Sequence, residues 1–217
     1  MVTTGAAEPP IRVLTADDHP VLRAGINSIV NREPDMEVVG EAETGTQAVE
    51  LYKRLRPDVM LMDIRMPELS GIDAVAKIKS DYPDAKIVVL TTYAGDVHAQ
   101  RALKAGASGY ILKSDLSDSL LSTIRAVHAG RRKISPHVAE EIALHAGTAS
   151  LTRREIEILQ CISTGASNKV IGLKLNVTED TVKLHLKSAF AKLGVKDRTE
   201  AVTLAARRGF IDITDIE

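Results

Sequence analysis

Three aspartates, a threonine and a lysine stand where apolar runs end, and together they suit phosphoryl chemistry. The run "VLTADDHP" closes on Asp17 and Asp18, adjacent carboxylates that repel each other unless something positive is held there. "VMLMDIRMP" closes on Asp63, "IVVLTT" on Thr91 and Thr92, and "GYILK" on Lys113. Hard oxygen ligands in a small group suit Mg2+, which takes one or two carboxylates and keeps several waters. A cation held by Asp17, Asp18 and Asp63 relieves their repulsion and lets an anionic phosphoryl group approach a carboxylate. Asp63 is then the candidate nucleophile, a former of an aspartyl phosphate. Lys113 can pair with phosphoryl oxygens as a point charge, and Thr91 can hydrogen-bond another. Taken singly, an aspartate after a strand is a turn or cap residue and a lysine there is solvated. Neither reading explains why all of them close successive apolar runs. His19 is expected to begin a helix rather than to do chemistry.

The elements that position these residues follow from periodicity. Short β-branched runs at 11–16, 36–41, 58–62, 86–91 and 108–112 alternate with helically spaced segments at about 20–32, 45–55, 71–80, 95–105 and 116–129. Five strands alternating with five helices predict an α/β domain: a flavodoxin-like, doubly wound, five-stranded parallel sheet. Ligands of such sheets bind beyond the carboxyl ends of the strands, where the five polar residues fall. Tyr110 lies three residues before Lys113, an odd spacing on a strand, so the two side chains are expected to face opposite ways.

Beyond residue 150 the strand signal stops. Four helical segments are predicted at 152–163, 167–175, 178–193 and 198–208, an all-α four-helix domain. "TRRE" reads as a capping box on Thr152 and Glu155, and Ser167 and Thr178 as N-caps. The second and third segments have helix-turn-helix scale. Val170, Ile171 and Leu175 are expected to bury against Val182, Leu186 and Phe190. Lys183 and Lys187 share a face beside Leu184, suited to base contacts in a major groove. Asn168, Lys169, Thr178, Thr181 and His185 are candidates for phosphate contacts. The domains are therefore residues 1–10, a flexible N-terminus; 11–130, the α/β domain; 131–149, a partly helical linker with its boundary near Gly147 to Ser150; and 150–217, the helical domain.

The net charge of −1 conceals an asymmetry. Residues 151–211 carry eleven basic and six acidic side chains, followed by Asp212, Asp215 and Glu217, whereas residues 1–150 hold 17 basic and 20 acidic. A basic module joined to an acidic one hints at nucleic acid. The one cysteine, Cys161, cannot form an internal disulfide and reads as a small buried hydrophobe. No apolar run nears the ~18 residues of a membrane span. The N-terminus has neither a basic n-region nor an apolar h-region, so a cytoplasmic protein with no membrane partner is expected.

In this order, "DDHP", "DIRMP", "LTT" and "GYILK" resemble the receiver domain of bacterial two-component response regulators over about residues 11–130. The resemblance implies that Asp63 takes a phosphoryl group from a sensor histidine kinase. It implies that Asp17, Asp18, Asp63 and the backbone carbonyl of Arg65 bind Mg2+, and that Thr91, Tyr110 and Lys113 form the switch. The stretch from "LTRREIEIL" to "DRTEAV" resembles the LuxR-type DNA-binding domain, and the whole chain the NarL/FixJ architecture. It departs in Val170 and Gly172, where an acidic residue and alanine are more usual, and in the bulk of Leu184. The resemblance implies that the last helix, through Thr199, Ala201, Val202 and Ala205, pairs two copies on inverted half-sites of double-stranded DNA. Such a homodimer is expected to depend on phosphorylation. The plainer alternative is that the same small-residue face only completes the core of its own domain.

A regulator controlled by phosphorylation, not an enzyme, is the leading expectation. A Mg2+-dependent phosphohydrolase using Asp63 is the alternative from another class. Phosphatases of the haloacid-dehalogenase type need a second carboxylate two residues on, where this chain has Arg65. A constitutive DNA binder with a scaffold receiver is the third reading, opposed by the complete acidic set.

Overall fold

The strands grow from the β-branched runs, and the helices from the segments between them. A computed structural model describes residues 9–92, 95–145 and 149–211. Residues 1–8 of the expected flexible N-terminus, the boundary residue Gly147, and the terminal acids Asp212, Asp215 and Glu217 lie outside the described residues. The described residues divide into two compact units, those up to Thr92 with Ala99–Ala139, and those from Glu140 onward together with Gly95–His98.

The first unit holds a parallel sheet ordered β2-β1-β3-β4-β5-β6. Its strands are β1 (Ile11–Ala16), β2 (Met36–Ala42), β3 (Val59–Asp63), β4 (Ile87–Thr91), β5 (Gly109–Leu112) and β6 (Lys133–Ile134). The helices are α1 (Pro20–Asn31), α2 (Gly45–Leu55), α3 (Gly71–Asp81), α4 (Asp96–Lys104), which belongs to this unit from Ala99 on, and α5 (Leu116–His128). β3 and β4 are buried at every position, as strands covered on both faces must be. On one face Ile26 and Val30 of α1 and Leu120 and Ile124 of α5 pack on Val13, Leu61 and Val88.

The sheet has six strands, not the five expected. β6 comes from the segment assigned to the linker. It pairs parallel with β5, and the Ser135 N–H donates to the Tyr110 carbonyl at 3.0 Å. Two residues are too few to show a period, so nothing in the sequence announced this strand. The linker helix is α6 (Pro136–Leu144).

The second unit is built on α7 (Arg153–Ser163), α8 (Asn168–Leu175), α9 (Glu179–Leu193) and α10 (Arg198–Arg208). Thr152 and Glu155 form the expected capping box, and the Ser167 and Thr178 hydroxyls accept from backbone N–H groups of α8 and α9. Ile158, Ile171, Val182, Leu186 and Ala189 make the core, with Cys161 buried among them. Val170 corrects the sequence reading, because it is 52% exposed. Ile171 and Leu175 lie four apart on the inner face, and Val170 falls one step off it.

Gly172 gains a reason for its departure. A Cβ there would stand 2.7 Å from the Val177 carbonyl oxygen, so the glycine lets α8 close on the turn before α9. Among the described residues, no helix is long and apolar enough to cross a membrane.

Candidate functional site

The register of the sheet brings the polar strand ends together. Ala16 of β1 is level with Met62 of β3, so Asp17 and Asp63 emerge side by side. β1 and β3 flank the point where the strand order reverses, the crevice where open α/β sheets bind ligands. Thr91 is level with Leu112, so Lys113 follows one step beyond. β5 ends at Leu112 and Lys113 opens a 3-10 turn. Strand alternation therefore stops short of Lys113 and does not set its direction. Gly71 begins α3 against the Asp63 carbonyl, where any Cβ would collide, and its N–H donates to Ile64 O at 2.8 Å. This closes the loop that carries Arg65.

Asp17 and Asp63 are almost wholly buried, and Asp18 is partly open. The Lys113 ammonium bridges them, 2.8 Å from Asp17 Oδ2 and 2.9 Å from Asp63 Oδ2. Burial pushes the Asp63 carboxyl up to about 6, with Lys113 pulling it down and the charges of Asp17 and Asp18 pushing it further up. Burial works against the charge of Lys113, but Asp17 and Asp63 more than offset it and hold its pKa above the usual value. Tyr110 is fully buried. Burial raises its phenol well above the ordinary range, against a hydrogen bond with buried Thr91.

Sequence reasoning missed two residues. The His19 Nδ1 lies 2.6 Å from Asp18 Oδ1 and 3.2 Å from Asp17 Oδ1, although His19 also begins α1 as expected. Ligand atoms of Asp17, Asp18, His19 and Asp63 all lie within 4.8 Å of one another. Three carboxylates meeting at one point, two of them buried, have the donor set for a hard divalent cation. Arg23 of α1 touches the same loop from behind, donating to the Asp17 carbonyl at 2.7 Å. Only the "DDHP" spacing could have flagged His19, and no local pattern flags Arg23. The Arg65 side chain is exposed.

On the second unit, Lys183, Leu184 and Lys187 stand exposed together on α9, and Leu184 is 67% exposed. The Lys183 ammonium is 3.1 Å from Asp180 and 3.3 Å from Glu179, and these acids raise its pKa. Lys169 and Thr178 are exposed, whereas Asn168, Thr181 and His185 are partly buried. The Thr178 and Thr181 hydroxyls meet at 2.8 Å. On α10, Ala201 and Ala205 are wholly inside the domain core, so that face completes its own domain. Thr199 is exposed and Val202 partly so, beside exposed Thr203 and Arg207.

Residues 13–125 match the response regulator receiver domain, and residues 149–205 match the bacterial regulatory proteins of the luxR family. The chain is similar to the transcriptional regulatory protein DegU of Brevibacillus brevis, 35% identical over 95% of this chain and 97% of that one. Among solved structures it is similar to the response regulator ChrA of a heme-sensing two-component system. That likeness has 37% identity and a TM-score of 0.57, over 93% of this chain and 99% of that one. It is also similar to RcsB of Salmonella enterica serovar Typhimurium, determined on a promoter with the phosphomimetic BeF3−. There the identity is 27% and the TM-score 0.70, over 91% of this chain and 98% of that one.

Proposed function

The chain belongs to the bacterial response regulators that join a receiver domain to a luxR-family DNA-binding domain, and from that premise we propose that phosphorylation of Asp63 controls its binding to promoters. The observation that carries the proposal is the seat of Asp63. It is a nearly enclosed carboxylate at the switch point of the sheet, facing Lys113 and two further carboxylates.

An Asp63 oxygen attacks the phosphorus of a sensor kinase's phosphohistidine. The O–P bond forms, the P–N bond breaks, and the electron pair leaves on the imidazole nitrogen. Lys113 neutralises the phosphoryl oxygens and the Thr91 hydroxyl donates to one of them. Asp17, Asp18, Asp63 and the Arg65 carbonyl would hold Mg2+, which would supply positive charge to offset the repulsion between the two anions. The chain's own catalysis ends with slow hydrolysis of its own aspartyl phosphate, and the protein is a regulator, not an enzyme with an external substrate. The reading fits a cytoplasmic protein.

Thr91 and buried Tyr110 form the bistable element that the new charge biases. α9 then enters the major groove. Lys183, Leu184 and Lys187 read base edges there, with Leu184 suited to a thymine methyl. Asn168, Lys169, Thr178, Thr181 and His185 meet phosphates. RcsB on its promoter supports DNA as the partner and phosphorylation as the control. Two copies bind inverted half-sites, with Thr199 and Val202 available for the α10 contact.

The proposal is tested by intact-mass measurement after incubation with acetyl phosphate and Mg2+. Wild type gains one phosphoryl mass and Asp63→Asn gains none. A full adduct in Asp63→Asn would place the acceptor elsewhere.

A further inference from the structure

Arg23 is a buried cation that the phosphoryl chemistry does not use. Its side chain is 9% exposed, on the second turn of α1. A buried guanidinium is costly unless all its donors are matched. Here one arm donates to the Asp17 carbonyl at 2.7 Å, Nε to Glu41 Oε2 at 3.0 Å, and the other arm to Glu43 Oε1 at 2.6 Å. Glu41 and Glu43 flank Ala42, the last residue of β2, and the Ala42 carbonyl accepts from the Asp17 N–H at 3.1 Å. Both polar atoms of the Asp17 backbone are thus held by one short piece of chain. Ala42 takes the N–H directly, and Arg23, anchored on the residues either side of Ala42, takes the carbonyl.

We propose that Arg23 is a positioning residue for the metal site: its guanidinium clamps the Asp17 backbone to the end of β2 and so sets where the Asp17 and Asp18 carboxylates point. The proposal rests on the reading that this cluster binds Mg2+. Asp17 and Asp18 follow the last β1 residue, and among the described residues no backbone N–H pairs with the Asp17 carbonyl. Arg23 supplies the missing donor. Charge alone makes the opposite demand, because a cation beside the site repels Mg2+. Removing a merely electrostatic Arg23 would tighten Mg2+ binding, and removing a clamp weakens it.

The test is calorimetric Mg2+ affinity of the whole chain, without phosphodonor, beside thermal melting. Arg23→Met is expected to lose about 10- to 100-fold in affinity, the usual cost of removing a group that orients a metal ligand. Arg23→Lys offers one ammonium in place of a fork and is expected to lose threefold or more, roughly. Arg12→Met is the control for general loosening. Arg12 lies at the far end of β1, donating to the Leu55 and Arg56 carbonyls, and its removal lowers the melting temperature with Mg2+ affinity unchanged. Unchanged or tighter binding in Arg23→Met overturns the proposal. So does a loss in Arg12→Met that matches its loss of stability. Should Arg23→Met not fold, unchanged affinity in Arg23→Lys overturns it equally. No binding by wild type, or wild-type binding by Asp18→Ala, sinks the metal reading itself and the clamp with it.

Discussion

In the proposed reading, Asp18 and Asp63 divide one task between a partly open carboxylate and a buried one. Asp18→Ala is expected to abolish Mg2+-dependent phosphorylation while changing the melting temperature by no more than a few degrees, because its side chain is 31% exposed. Mass measurement beside melting checks both halves. Glu155 shows the other use of a buried carboxylate. It is 3% exposed and pairs with Lys192 at 2.8 Å across α7 and α9. Burial opposes its charge, yet Lys192, Ser188 and Thr152 bring it down to about 2 from an ordinary 4.5. Its folded value lies below its unfolded one, so its stabilisation is complete above about pH 4.5 and fades as the pH falls through 2. Glu155→Ala should cost about 3 kcal/mol at neutral pH and flatten the acid side of the stability profile, read by melting between pH 2.5 and 7. At this scale the sequence exposed what stands at strand ends and caps: Asp17, Asp18, Asp63, Thr91, Thr152. It hid Arg23, whose partners Glu41 and Glu43 are about twenty residues away, and the turn of the His19 ring toward two carboxylates.

Elements were legible wherever a period had room to repeat. α3, α9 and β3 fall within a residue or two of their expected bounds. β6 was invisible because two residues carry no period and its pairing with β5 is a long-range event. Val170 was misread because membership of an apolar cluster in sequence does not give its phase on the helix. Ala201 and Ala205 were expected to pair two copies, with the domain core as the alternative, and the core took them. Helix propensity alone puts glycine at position 172 about 1 kcal/mol behind alanine. The close Val177 carbonyl reverses that sign. Gly172→Ala is therefore expected to speed amide exchange across α8 and the turn before α9; slower exchange, the outcome helix propensity alone demands, would contradict it.

Across the whole molecule, the charge asymmetry between residues 1–150 and 151–211 assigns different partners to the two domains. In the proposed reading the acidic one takes a cation and a phosphoryl group, and the basic one takes DNA. Lys183→Ala and Lys187→Ala should weaken binding to a cognate promoter more than to random DNA. Lys169→Ala should weaken both alike and lower the salt dependence by about one counterion. Lys183 carries a condition, since it must leave Glu179 and Asp180 to reach a base, so its effect should be the smaller of the two. The central claim is that charge at Asp63 governs what α9 does. It is tested most directly by the promoter affinity of the whole chain, with and without acetyl phosphate and Mg2+, in wild type and Asp63→Asn. The phosphodonor is expected to tighten wild-type binding by about tenfold, within the ordinary range of coupling between sites, and to leave Asp63→Asn unchanged. Equal wild-type affinity with and without the phosphodonor, at full phosphorylation, would contradict it.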